Sequence, residues 1–212
     1  LQVQAEGGGH IERRWRGLLA PARQDVQRLR AKSSAILSGI GTVLTDNPRL
    51  TVRLDEIVAN DKFEQPIRII LDPHLSTPAN AAIFSEPGKT VIVTTSDDSE
   101  VVNELSAAGA EILCQEGHSN TIDLSELLHY LAELEINDVM METGATLSGA
   151  MLQAGLIDEL VIYMAPHLMG NKARGLFNLP WLDAMKDRVN VKISDIRAVG
   201  SDWRIEAQIT QH

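Results

Sequence analysis

The sequence of 212 residues contains a single cysteine, Cys114, and only 4% aromatic residues. A lone cysteine can form neither an internal disulfide nor a cysteine-rich zinc site, so the sequence excludes both. Because aromatic residues are scarce, the core is predicted to consist mainly of Leu, Ile, Val, Ala and Met. The hydrophobic content of 44% is sufficient for a full core in one large domain or two small ones.

Positive charge is also scarce, since the formal net charge is −10 and no long basic block is present. Broad nucleic-acid binding needs clustered Lys and Arg, so we predict no nucleic-acid partner. An anionic cofactor stays compatible with this charge, because a few arginines and backbone N–H groups can hold it. No apolar run reaches about 18 residues and no secretory segment is visible, which predicts no membrane partner and a cytoplasmic protein.

The histidines do not form a recognisable metal site. None of the spacings between them is that of known metal ligands, so we predict no metal. The histidines are His10, His74, His118, His129, His167 and His212.

The first 21 residues differ in composition from the rest of the chain. They contain a glycine tract, Glu6–His10, and a basic cluster, Arg13–Arg16, without a clear helical or strand period before about Ala22. We predict that residues 1–21 are an atypical leader, either disordered or artefactual, and that residues 22–212 form the domain. The alternative interpretation of the leader is an anion-binding arm.

From Ala22 onward, helical and strand patterns alternate along the chain. This alternation predicts an α/β fold, with a mainly parallel central sheet flanked by helices. Two extended runs, Val191–Val199 and Asp202–Thr210, flank Gly200 and predict a C-terminal antiparallel β-hairpin. The predicted helices cover residues 22–32, 99–108, 124–134 and 147–155. The predicted strands before the hairpin cover residues 33–41, 66–72, 89–95, 110–113, 138–141 and 159–165.

The segment Gly39–Arg53 is the first candidate for chemistry. A dinucleotide fingerprint would need a third glycine where the chain has Leu44, so a tight strand–helix turn explains Gly39 and Gly41 equally well. In the following loop, Asp46 can accept a hydrogen bond from a ribose hydroxyl or an amide. Arg53 can bind a phosphate through two hydrogen bonds. The alternative is a solvated loop in which Asp46 merely caps the turn.

The strongest candidate is Glu142 together with the small residues Gly144–Ala150. An apolar strand ends at Glu142, and a carboxylate at that edge can bind sugar hydroxyls. Glycine lets a ligand approach the backbone, and the N–H groups at a helix start attract phosphate. The alternative is that Glu142 only complements the helix dipole. The sequence therefore predicts a site for a hydroxylated, phosphorylated molecule.

Together, these segments resemble the reductase domain of the bifunctional riboflavin-biosynthesis deaminase–reductase. The resemblance extends from about Ala22 to the C-terminus. It implies a dihydrofolate-reductase-like fold and NADPH-dependent reduction of 5-amino-6-(5-phosphoribosylamino)uracil to 5-amino-6-(5-phosphoribitylamino)uracil. The segments that carry it are Ser34–Arg53, Arg68–Asp72, Glu142–Leu147 and Asp158–Pro166.

The resemblance also implies site residues. It assigns the arginines to the ribose phosphate and Glu142 to the ribose hydroxyls. Hydride transfer would depend on positioning, so no catalytic residue is assigned and Glu142 is the best candidate. The implied cofactor residues are Thr42, Asp46, Gly144, Ala145, Thr146, Leu147, Ser148, Gly149 and Ala150. The implied substrate residues are Arg30, Leu50, Arg53 and Glu142.

Two features of the family are not matched in this sequence. The zinc deaminase domain of the full-length family protein carries His-x-Glu and Pro-Cys-x-x-Cys, which are absent here, so we expect no deaminase activity from this chain. The family's opening strand and its Ser-Leu-Asp-Gly turn are not matched by residues 1–21. The family implies a homodimer. Alternatives are a related dihydrofolate or pteridine-type reductase, and a catalytically silent nucleotide-binding or dimerisation fragment.

Overall fold

A computed structural model of the chain describes residues 20–53, 63–115, 121–168 and 175–210, together with the backbone of residues 2–5. The chain divides into two compact units. Residues 1–26 and 141–212 form the terminal unit, and residues 27–140 form the central unit. None of the helices in the described ranges is both long and apolar enough to cross a membrane.

The elements alternate as the sequence predicts. In chain order they are β1 (Gln2–Ala5), α1 (Ala20–Lys32), β2 (Ala35–Gly39), α2 (Ile40–Asp46), β3 (Ile67–Leu71), β4 (Thr90–Thr94), α3 (Ser99–Ala107), β5 (Ala110–Cys114), α4 (Leu124–Glu133), β6 (Val139–Met141), α5 (Ala145–Gln153), β7 (Glu159–Met164), β8 (Asn190–Val199) and β9 (Asp202–Thr210).

The central unit is built on a parallel sheet in the order β5–β4–β3–β2–β6. β6 lies beside β2, since Ser34 N and Ala35 N both donate to Asp138 O, at 2.9 and 3.1 Å. The strands are apolar along most of their length because parallel strands are covered on both faces. On one face, Ile36, Ile70 and Ile92 form a core with residues from α2, α3 and the intervening loops.

The terminal unit contains the predicted β-hairpin. β7 pairs with β1 in parallel and with β9 in antiparallel register, and β9 pairs with β8. The hairpin turns at Gly200, whose φ of +69° favours glycine. At the start of α1, the carboxylate of Asp25 accepts a hydrogen bond from the Tyr163 hydroxyl. Burial and this hydrogen bond raise the pKa of Tyr163 well above its usual range, so the phenol stays protonated.

The structure departs from the sequence predictions at three points. A strand, β1, is present at Gln2–Ala5, where no regular element was expected before about Ala22, and α1 begins two residues early at Ala20. β2 ends at Gly39, which becomes the N-cap of α2, so Gly41, which the pattern assigned to the strand, lies inside a helix. α5 begins at Ala145 rather than Leu147. The glycine tract and the basic cluster lie outside the described residues, and the domain boundary at residue 22 stays a prediction.

Candidate functional site

The start of α5 in the terminal unit is open to an anion. Gly144 is its N-cap, in an extended conformation (φ −74°, ψ 167°), and the first turn contains no acidic residue. Ser148 N makes the first intrahelical hydrogen bond, to Gly144 O at 3.1 Å. The N–H groups of Ala145, Thr146 and Leu147 therefore have no acceptor within the helix. Such a helix start carries partial positive charge and attracts phosphate.

The surroundings of this helix start fit the phosphates of the cofactor that the resemblance implies. A Cβ added at Gly144 would meet no atom of the described residues within 4 Å, so they leave space beside its backbone. The hydroxyl oxygen of Ser148 is buried and has no hydrogen-bond partner among the residues that the structure describes. A buried hydroxyl without a partner is costly, so this oxygen has unused hydrogen-bonding capacity beside the helix start.

The presence of glycine at position 149 is explained by packing and not by a ligand. A Cβ at this position would lie 2.0 Å from Asn178 O, which is far too close for two atoms that are not bonded. The same segment is fixed to the helix by a hydrogen bond from Asn178 N to Ala145 O at 2.9 Å. Close packing between two stretches of backbone therefore requires glycine at position 149, independently of any ligand.

Glu142 directly follows β6 and lies two residues before the N-cap of α5. Its side chain is buried, with 2% of the residue exposed, and Thr143 is buried as well. Glu142 therefore lies beside the start of α5 with its side chain covered, and its role toward sugar hydroxyls stays a prediction.

The remaining predicted residues lie in the central unit. Arg30, at the end of α1, is buried and donates from Nη1 to Thr51 O at 2.8 Å. The backbone N of Arg53 donates to Gln27 Oε1 at 2.8 Å, which brings the loop to the same end of α1. Leu50 is buried with a positive φ of 51°. The three predicted substrate residues of this unit therefore share one region.

The two predicted cofactor residues of the central unit lie on α2. Thr42 and Asp46 are one helical turn apart and so share a face of the helix. Thr42 is buried and Asp46 is half-buried. The helix ends at Asn47, whose φ of 43° is left-handed and whose Oδ1 accepts from Ala82 N at 2.7 Å. Thus α2 leads directly into the loop that carries Leu50 and Arg53.

Sequence reasoning missed the side chains that hold this loop. Gln65 makes two hydrogen bonds to Val52, and Gln27 accepts from Arg53 N. No local pattern marks these glutamines, because the bonds join residues far apart in sequence. The central unit also contains an apolar cavity of about 210 Å³ between α4 and the sheet, and no predicted site residue lines it. No group of three or more His, Cys, Asp or Glu in the described ranges is arranged to hold a metal ion.

Comparisons with known proteins agree with the fold. A family model described as the RibD C-terminal domain matches residues 3–205. The riboflavin biosynthesis protein RibD of Escherichia coli K12 is 43% identical over 188 residues, which covers 85% of this chain and 50% of that protein. The 5-amino-6-(5-phosphoribosylamino)uracil reductase of Buchnera aphidicola (subspecies Acyrthosiphon pisum) is 36% identical over 191 residues, covering 87% of this chain and 90% of that protein.

A solved structure shows the same architecture. Acinetobacter baumannii RibD, form 1, superposes with a TM-score of 0.84 at 32% identity, covering 99% of this chain and 58% of that one. The chain thus spans about half the length of the RibD proteins that it matches. The predicted α/β reductase fold is confirmed. Because the family model covers nearly the whole chain, this chain belongs to the RibD C-terminal domain family.

Proposed function

We propose that this chain is the reductase that converts 5-amino-6-(5-phosphoribosylamino)uracil to 5-amino-6-(5-phosphoribitylamino)uracil in riboflavin biosynthesis, with NADPH as the hydride donor. The observation that carries the proposal is the similarity to the Buchnera reductase. That protein is named for the reduction alone, and the alignment covers 90% of its length. The open start of α5 gives independent support, because a dinucleotide cofactor needs a site for its phosphates.

NADPH supplies the hydride when bound, and the protein supplies binding and alignment. The N–H groups of Ala145, Thr146 and Leu147 would hold its phosphates, with the Ser148 hydroxyl as a further donor. In the central unit, Thr42 and Asp46 lie on one face of α2, where the threonine can donate to a ligand and the carboxylate can accept from one.

The substrate has an anionic end and a hydroxylated sugar, and the chain offers a group for each. Arg53 is exposed, and its guanidinium can bind the ribose phosphate with two parallel hydrogen bonds. The side-chain oxygens of Glu142 can accept hydrogen bonds, so they suit the hydroxyl donors of the pentose. Since alignment is sufficient for hydride transfer, no covalent bond to the protein is needed.

We also propose that the chain forms a homodimer through one face of β7, β8 and β9. The register places Trp203 beside Met164 and Ala198, and Ile205 beside Ile196, so apolar side chains share this face. An apolar patch of this kind marks an interaction surface. Its exposed members, each 45–53% exposed, are Met164, Val191, Ile193, Ile196 and Trp203.

A spectrophotometric assay tests the proposed reaction. Purified chain, NADPH and the aminouracil substrate should give substrate-dependent loss of the nicotinamide absorbance band and the ribitylamino product by mass spectrometry. Turnover of dihydrofolate instead would indicate a pteridine-type reductase. NADPH binding without any turnover would indicate a silent nucleotide-binding fragment.

Sedimentation velocity tests the proposed dimer. The wild-type chain should sediment as a dimer, and Ile196→Glu should shift it to a monomer, because a charge in an apolar interface is costly. The matched variant Lys192→Glu, which also lies on β8 but carries a polar side chain, should leave the dimer intact. A monomeric wild-type chain at micromolar concentration would contradict the proposal.

A further inference from the structure

The loop between α2 and β3 contains a buried stretch of backbone without regular secondary structure. Leu50, Thr51 and Val52 are each 1–2% exposed, yet they belong to no helix or strand. Buried backbone N–H and C=O groups must find hydrogen-bond partners, and among the described residues no strand supplies them to this stretch. The partners of this stretch therefore decide its conformation.

Side chains provide these partners in succession. Arg30 Nη1 donates to Thr51 O at 2.8 Å, and Arg53 N donates to Gln27 Oε1 at 2.8 Å. Between them, Val52 N donates to Gln65 Oε1 at 2.8 Å, and Gln65 Nε2 donates to Val52 O at 2.9 Å. Gln65 thus makes the same pair of hydrogen bonds to Val52 that a residue on an antiparallel neighbouring strand would make. It can do so because a primary amide has both a donor and an acceptor.

Gln65 is itself held firmly. It directly precedes Pro66 and β3, a central strand of the parallel sheet. A Cβ added at Gly88 would lie only 2.9 Å from the Cβ of Gln65, so the backbone of Gly88 packs against the stem of this side chain. Gly88 is fixed in turn, since its carbonyl accepts from Arg68 Nη2 at 2.6 Å. The amide of Gln65 is therefore presented to the loop from a rigid support.

We propose that Gln65 is a positioning residue for substrate binding. It fixes the peptide unit of Val52, which lies one residue from Arg53 and two from Leu50, and so sets where the Arg53 guanidinium meets the substrate phosphate. This inference rests on the proposed function, in which Arg53 binds that phosphate. Gln65 does not touch the substrate. It acts through the loop backbone that carries Leu50 and Arg53, the residues proposed to contact the substrate.

The chain contains a matched control for this role. Gln115 makes the same pair of hydrogen bonds to another peptide unit, accepting from Asp123 N at 2.8 Å and donating to Asp123 O at 3.0 Å. That peptide unit precedes α4 and carries no predicted site residue. Gln65→Met and Gln115→Met therefore remove equivalent bonds, and only the first removes them from the substrate loop.

The test measures KM for the aminouracil substrate, kcat, and the Kd for NADPH in both variants. A positional error of about 1 Å can reduce catalysis about a hundredfold, so Gln65→Met should raise KM at least tenfold. The Kd for NADPH should change less than twofold. Gln115→Met should leave all three values unchanged. Equal effects of the two substitutions on KM, or no effect of Gln65→Met in an active enzyme, would overturn the inference.

Two further measurements separate positioning from general damage. In an Arg53→Ala background, Gln65→Met should have little additional effect on KM, because the group that it positions is gone. Full additivity would contradict the proposed role. If Gln65→Met does not fold, Gln65→Glu replaces it. This variant should show a raised KM at neutral pH that falls on acidification, since a protonated carboxyl again donates to Val52 O. A pH-independent KM would count against the inference. A wild-type chain without activity on this substrate would instead refute the proposed function.

Discussion

The helices α4 and α5 begin in opposite ways. At α4, the carboxylate of Asp123 accepts a hydrogen bond from Glu126 N at 2.9 Å, and Glu126 adds a second negative charge in the first turn. α3 follows the same rule with Asp98 and Glu100. At α5, Gly144 provides no side chain and the first turn has no acid. Thus α3 and α4 have capped, negatively charged starts, whereas the start of α5 has neither a side-chain cap nor an acid.

The largest expected effect comes from Gly149→Ala, which tests how α5 packs. Alanine normally stabilises a helix interior relative to glycine by up to about 1 kcal/mol. Here the added Cβ would lie 2.0 Å from Asn178 O, so the free energy of unfolding should fall by about 3 kcal/mol or more. Chemical denaturation measures this change. A stabilised Gly149→Ala variant would show that the segment at Asn178 does not pack against α5 as described.

The next largest effect is expected for Glu142→Gln, which removes the carboxylate that lies two residues before the N-cap of α5. An amide weakens the charged hydrogen bonds proposed for the sugar hydroxyls, so kcat/KM for the aminouracil substrate should fall about a hundredfold. The Kd for NADPH, measured by titration, should change only a few-fold. Equal losses in substrate use and NADPH binding would contradict the role assigned to Glu142.

Gly144→Asp would place a carboxylate at the N-cap of α5, as Asp123 does at the N-cap of α4. Its carboxylate would compete with the cofactor phosphates for the same N–H groups, so NADPH affinity should fall about tenfold or more while the helix gains a cap. Gly144→Ala is the control, because its Cβ meets nothing within 4 Å and should leave affinity within about threefold of wild type. Unchanged affinity in Gly144→Asp, measured by fluorescence titration, would place the phosphates elsewhere.

Asp123→Ala should have the smallest effect. Loss of the N-cap of α4 should lower the free energy of unfolding by about 1 kcal/mol, with NADPH affinity and kcat unchanged. Thermal denaturation measures the first quantity, titration measures the NADPH affinity, and the spectrophotometric assay measures kcat. A change in NADPH affinity would contradict the proposal that the cofactor binds at the start of α5 and not at the start of α4.

Local patterns in the sequence predicted most of the fold. β3 and β4 were placed within one residue at each end, because apolar, largely β-branched runs lie between Pro66 and Asp72 and after Gly88. The hairpin followed from the alternation in β9. β1 was missed because Gln2–Ala5 is too short to show a period. The start of α5 was placed late because Gly144 and Ala145 carry no hydrophobic pattern.

The candidate site was less accessible to sequence reasoning. Glu142 and the small residues after it could be recognised, because both belong to one continuous segment. The loop around Val52 could not, since its hydrogen bonds join residues 13 to 26 positions apart. The close packing behind Gly149 also depends on Asn178, which lies well downstream. These features arise from tertiary packing, which leaves no periodic pattern in the local sequence.

The left-handed backbone of Leu50 limits which residues evolution can place there. Glycine would adopt a φ of +51° without the strain of about 1–2 kcal/mol that leucine bears, yet it would leave a hole in the core at a cost of about 2–5 kcal/mol. A β-branched residue would fill the space but fit the backbone worst. In a saturation-mutagenesis survey, position 50 should therefore tolerate fewer replacements than other buried leucines, such as Leu105.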